Sequence, residues 1–138
     1  MEAPATHSEF TYSIDDLLEK VVERRGSDLH VTVGTEPVIR VHGHLERLEE
    51  YPKVRPDDAQ RMLYRIMSTE QQKHFETKRQ IDLSYSIPGL ARFRVNIYFQ
   101  RESVGGAFRT IPTELDRFER EFTRSSEPRI GAFGRYRA

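Results

Sequence analysis

Between Arg92 and Pro112 the chain reads RFRVNIYFQRESVGGAFRTIP. Phe93, Val95, Ile97 and Phe99 alternate with Arg92, Arg94, Asn96 and Tyr98, the period of two of a strand with one apolar and one polar face. A reversal near Glu102 to Gly105 then returns the chain through a second strand. A hairpin by itself is marginal in water. The rest of the chain must therefore supply more strands and a layer to cover the apolar row. Arg94 lies in the polar row, and Arg109 lies near the end of the return strand. If the two strands pair antiparallel, both guanidinium groups come toward the same edge of the sheet.

The remaining elements follow from spacing. Residues 1–12 are polar and contain Pro4, and they read as a tail that ends in a short strand at Phe10 to Tyr12. Ser13 caps a helix, with Asp16 completing a capping box. Ile14, Leu17, Leu18, Val21 and Val22 make one apolar stripe, and Gly26 stops the helix. Asp28 to Val33 alternates, with Leu29, Val31 and Val33 on one side. A turn at Gly34 to Pro37 leads into Val38 to His42, and Gly43-His44 turns into Leu45 to Leu48. Glu49 to Arg55 is a charged connector. Pro56, Asp57 and Asp58 open a second helix, buried through Ala59, Met62, Leu63, Ile66 and Met67. Ser68 or Thr69 starts a third, anchored by Phe75 and fraying by Lys78. Ile81 to Ile87 alternates as a strand, and Pro88-Gly89 signals a type II turn into Arg92. The order is helix, three strands, two helices, three strands. Such links predict an α+β fold, a largely antiparallel sheet of about six strands with helices on one face. After Thr113 a short helix around Leu115, Phe118 and Phe122 is expected, and then a tail that buries no core of its own.

Composition narrows the function. The 138 residues hold 22 Lys plus Arg against 22 Asp plus Glu, and this balance argues against nucleic acid as a partner. Charged residues make up 32% and hydrophobic ones 36%, enough for one modest core. There is no cysteine, so neither disulfides nor thiolate chemistry enter. No apolar run is long enough to span a membrane, and Met1 to Phe10 lacks the pattern of a signal peptide. A cytoplasmic location fits.

The familiar catalytic signatures are missing from the sequence. It has no G-x-x-x-x-G-K-[ST], no G-x-S-x-G, no H-E-x-x-H and no C-x-x-C. Gly105-Gly106 is too short for a phosphate loop and reads instead as a place where another backbone or a neighbouring strand comes close. His30, His42 and His44 fall on or beside adjacent strands, but a metal site needs three or four convergent ligands with supporting partners. Asp28 and His30 read as hydrogen-bonding trim across a sheet edge. The aromatics Phe93, Phe99 and Phe108 belong to a core rather than to a base-stacking platform. Arg94 and Arg109 remain. Their planar forks suit phosphate and suit carboxylate equally, so pairing with Asp82 or Glu102 is the plain alternative.

Three stretches carry a resemblance: RGSDLHVTVGTEPVIRVHGHLERL, MSTEQQKHFE and IDLSYSIPGLARFRVNIYFQRESVGGAFRTIPTE. With SDLH, P-x-x-R-x-x-G, S-x-E-Q and RFRVN followed by FR-x-IP in register, about Ser13 to Phe118 resembles the N-terminal domain of the PilT family. These are type IV pilus retraction ATPases of the secretion-ATPase superfamily. The resemblance implies a PAS-like domain at 13–112, between a tail at 1–12 and a non-family segment at 113–138. It implies partners: a RecA-like domain that carries the nucleotide loop, a homo-hexamer, and the pilus machinery of the inner membrane. It implies ATP and Mg2+ on that RecA-like domain, with Arg94 and Arg109 reaching the ATP phosphates. After Glu114 the sequence departs from the family pattern, and the chain is expected to be truncated before the motor and inactive as an ATPase alone. A free-standing PAS-like module that binds a ligand or partner, or a remnant without function, are the other readings.

Overall fold

In the computed structural model, residues 12–112 are described. The flanking tails and the helix expected after Thr113 lie outside them. The order of elements is α1 (Ile14–Glu23), β1 (Asp28–Val31), β2 (Val38–Val41), β3 (His44–Arg47), α2 (Pro56–Arg65), α3 (Thr69–Lys78), β4 (Gln80–Ile87), β5 (Ala91–Gln100) and β6 (Ser103–Ile111). This is the order that the spacing predicts. The six strands form one sheet, β3-β2-β1-β6-β5-β4, with every neighbouring pair antiparallel. Two three-stranded meanders are thus joined through β1 and β6.

The helices begin where local chemistry predicts. The Ser13 side chain accepts from the Asp16 N–H at 3.2 Å while Asp16 accepts from the Ser13 N–H at 2.9 Å. Ser68 and Gln71 form the same reciprocal box at the start of α3. Each box satisfies two amides that would otherwise lack partners. The end of α1 differs from expectation. The left-handed residue is Arg25, at φ 57°, and not Gly26. Gly26 is needed for space: a Cβ there would lie 2.8 Å from the Arg40 carbonyl oxygen.

One face of the sheet is covered. Leu29, Val31, Ile39, Phe93, Val95, Ile97 and Phe108 are buried there, in one core with Leu17, Leu18 and Val21 of α1, Met62 and Leu63 of α2, and Phe75 of α3. Tyr12, which the sequence assigns to the tail, is also buried, its ring centroid 4.8 Å from that of Tyr51. The connector after β3 is likewise more than charged surface, since Leu48 and Val54 are buried in it.

Gly105 and Gly106 make room chiefly for side chains, and at Gly105 also for the neighbouring strand, whose Val31 carbonyl oxygen would lie 3.3 Å from a Cβ. A Cβ at Gly106 would meet Leu63 Cδ2 of α2 at 2.9 Å, and one at Gly105 would meet the Tyr98 ring at 2.8 Å. The hairpin turn itself is Arg101-Glu102, both at positive φ (54° and 68°), between the paired residues Gln100 and Ser103. The preceding turn is as expected: Gly89 is at φ 80° and the Leu90 N–H donates to the Ile87 carbonyl at 2.9 Å.

Candidate functional site

The second face of the sheet carries the polar rows. Register lines up Ser84, Arg94, Arg109, Asp28 and Arg40 across five consecutive strands, β4 to β2. Arg94 and Arg109 are direct cross-strand partners. They share a face. They do not sit at a sheet edge, because β5 and β6 are interior strands. Asp28 and His30 are not edge trim either, since β1 lies between β2 and β6.

The two arginines differ in their surroundings. Arg109 donates through Nε to Asp28 Oδ2 at 3.3 Å. Its side chain is still 74% exposed, whereas that of Asp28 is 10% exposed. Asp28 is also held from the other side by the Ser27 hydroxyl, which donates to Oδ1. Arg94 has no carboxylate partner among the described residues. Asp82 is engaged by the Asn96 amide, which donates to it at 3.0 Å. Glu102 is at the hairpin tip, roughly 20 Å along β5 from Arg94. The fourth charge of the row, Arg40, is turned toward the β2–β3 turn and donates to the Gly43 carbonyl at 3.2 Å.

Like charges directly opposite on a sheet destabilise it. Here two guanidinium groups face each other with one adjacent carboxylate between them and Arg40. Folds break such local rules at functional or strained sites. Around the pair lies an open cleft of about 260 Å³, lined among others by His30, Asp82, Asn96 and Ala107. Ala107 sits between Asn96 and His30 in the next row, and its short side chain leaves the floor low. A space of this size takes a phosphate group rather than a whole nucleotide, whose pockets run larger. Among the described residues no three His, Asp or Glu side chains converge as a metal would require. His42 sits in a turn at φ 51° and His44 on the exposed strand β3. No helix among the described residues is long and apolar enough to cross a membrane.

Sequence reasoning finds Arg94 and Arg109 but misses Asp28 as their neighbour. The alternation of SDLH places Asp28 in a polar row. Its contact with Arg109, however, spans 81 positions of sequence and depends on the β1–β6 pairing, for which no local signal exists.

Comparison with known proteins adds a frame. No protein-family profile matches the chain. It is 38% identical over 102 residues to the type IV pilus retraction ATPase PilT of Pseudomonas aeruginosa, a match covering 74% of this chain and 29% of that protein. It is 30% identical over 105 residues to the type IV pilus ATPase PilU of the same organism, covering 76% and 27%. A crystal structure of the pilus retraction motor PilT with bound ADP superposes with a TM-score of 0.71 at 33% identity, covering 79% of this chain and 32% of that one. The chain thus spans less than a third of the length of these relatives.

Proposed function

The chain belongs to the PilT family of pilus ATPases, matching its N-terminal domain, and from that premise we propose that it supplies two arginines to a nucleotide held by a RecA-like domain. Arg94 and Arg109 would meet the phosphates of ATP, with Mg2+ held by the RecA-like domain, when the sheet's polar face closes on that domain. The observation that carries this reading is the direct cross-strand pairing of two exposed guanidinium groups on the sheet face opposite the helices. Charge brought in by domain closure, with water excluded, stabilises a transferring phosphoryl group far better than charge in bulk solvent. Nucleotide and metal would be held by the RecA-like domain. The residues of this chain fit the phosphate end alone, by donating from their guanidinium groups.

The domain then works in a homo-hexamer at the cytoplasmic face of the inner membrane, with residues 13–112 as the working unit and the polar face set against a neighbouring motor domain. The 138 residues by themselves turn over no ATP. The test uses the purified chain and the RecA-like portion of a PilT relative stripped of its own N-terminal domain. The expected result is that the chain raises ATP turnover in trans and that Arg94→Ala and Arg109→Ala each remove the effect. Turnover by the chain alone that Arg94→Ala abolishes, or stimulation untouched by both variants, overturns the reading.

A further inference from the structure

We propose that Asp28 is a positioning residue that fixes Arg109 by its Nε edge and thereby presents the terminal amino groups to an oxyanion. This deepens the preceding reading and rests on it. A guanidinium has five donors on a rigid fork. The Asp28 bond uses the Nε side, so the end of the fork is left for a second acceptor. The exposure values fit a bridge: the carboxylate is nearly buried while the arginine remains mostly open. Asp28 is itself held on both sides. Its backbone is in register with Arg40 on one strand and Arg109 on the other, and Ser27 donates to its second oxygen. The Ser27 carbonyl in turn accepts from the Thr110 N–H at 3.0 Å, which ties this corner to the residue after Arg109.

The ligand class is a phosphate dianion or the terminal phosphate of a nucleotide. Asp28 and Asp82 balance Arg94 and Arg109 in the cleft, so the cleft has no net attraction for stray anions. An anion is held where the fixed fork of Arg109 and the charge of Arg94 meet it at once. Arg94 has no such tether among the described residues and acts as a charge on a movable arm.

The two arginines therefore respond differently to lysine. A lysine carries its three donors on one nitrogen, so at position 109 it has no second edge to hold a phosphate in a fixed orientation while it is bound to Asp28. In the trans-stimulation assay, Arg109→Lys and Asp28→Asn are each expected to lower stimulation roughly tenfold to hundredfold, the cost of a misplaced group, while Arg94→Lys keeps most of it. In parallel, the Nε–H signal of Arg109 is followed by NMR in the full chain, where Asp28→Asn should shift it and speed its exchange with water. A chain whose other amide signals stay in place shows that the variant is folded. If Arg109→Ala abolishes stimulation while Arg109→Lys and Asp28→Asn retain it, the bridge is wrong and the proposed function stands. If Arg109→Ala has no effect, both fall. An Arg109 Nε–H signal indifferent to Asp28→Asn overturns the bridge whatever the assay shows.

Discussion

Gly26 and Gly106 are both constrained by space rather than by dihedral angle, and the difference between their neighbours sets the cost of filling it. At Gly26 the obstacle is the Arg40 carbonyl oxygen, 2.8 Å from where a Cβ would lie, and it already accepts from the Ser27 N–H at 2.9 Å. Backbone in a ladder cannot step aside. Gly26→Ala is expected to cost about 1–3 kcal/mol as overpacking, read as a lower denaturation midpoint. At Gly106 the obstacle is the Leu63 side chain, which is fully buried; Gly106→Val should push α2 away from β6 and cost at least as much. Tyrosines carry a second prediction at this scale. Burial, followed by a hydrogen bond and the charge of Asp15, pushes the Tyr85 hydroxyl up from 10.0 to about 12, and it donates to Asp15 at 2.6 Å. Burial also raises Tyr12 and Tyr64 to about 12. Below about pH 10 these groups keep their protons in both folded and unfolded chains. Above it the unfolded chain releases protons that the fold retains, so stability should fall as pH rises from about 10 to 12. Tyr85→Phe is expected to melt lower at pH 8, by about 1–3 kcal/mol for a lost bond to a charged group, and to decline less steeply above pH 10.

At the scale of elements, capping and alternation were legible because each is decided within a few residues. Ser13 with Asp16 forms the box that its spacing announces, and of the two starts open to the third helix it is Ser68, boxed with Gln71, that caps it. Ser68→Ala should cost about 1 kcal/mol, measured by chemical denaturation. Turns were less legible. Two-residue hairpin turns with both residues at positive φ favour Asn-Gly, yet this chain uses Arg101-Glu102 in that conformation. No propensity argument selects those two residues, and the reversal expected near Glu102 to Gly105 begins one residue earlier, at Arg101. Replacing Arg101-Glu102 by Asn-Gly is predicted to raise stability by about 1–2 kcal/mol, since a left-handed conformation costs about that per ordinary residue. An unchanged melting temperature would show that contacts of the two side chains offset the backbone cost.

At the scale of the whole molecule, one face of one sheet is a core and the other carries the polar rows. Phe75 is the keystone of the α3 end: fully buried, stacked on Phe99 at 4.5 Å, and edge-on to Tyr64 at 6.0 Å. Phe75→Ala should cost about 3–5 kcal/mol, a large share of the roughly 5–15 kcal/mol that holds a domain of this kind together, and leave a chain partly unfolded at 37 °C by circular dichroism. Amino-acid order alone determined the helices, the strands and the α+β class, because periodicity and caps act over a few residues; that Arg94 and Arg109 stand opposite on one face depends on the register of their hairpin. Only the tertiary structure decided that β1 pairs with β6, and with it that Asp28 lies beside Arg109 and that neither stands at an edge. That pairing joins residues some eighty positions apart. It is chosen by which apolar rows bury best beneath three helices, a property of the assembled core that no single stretch of the chain contains.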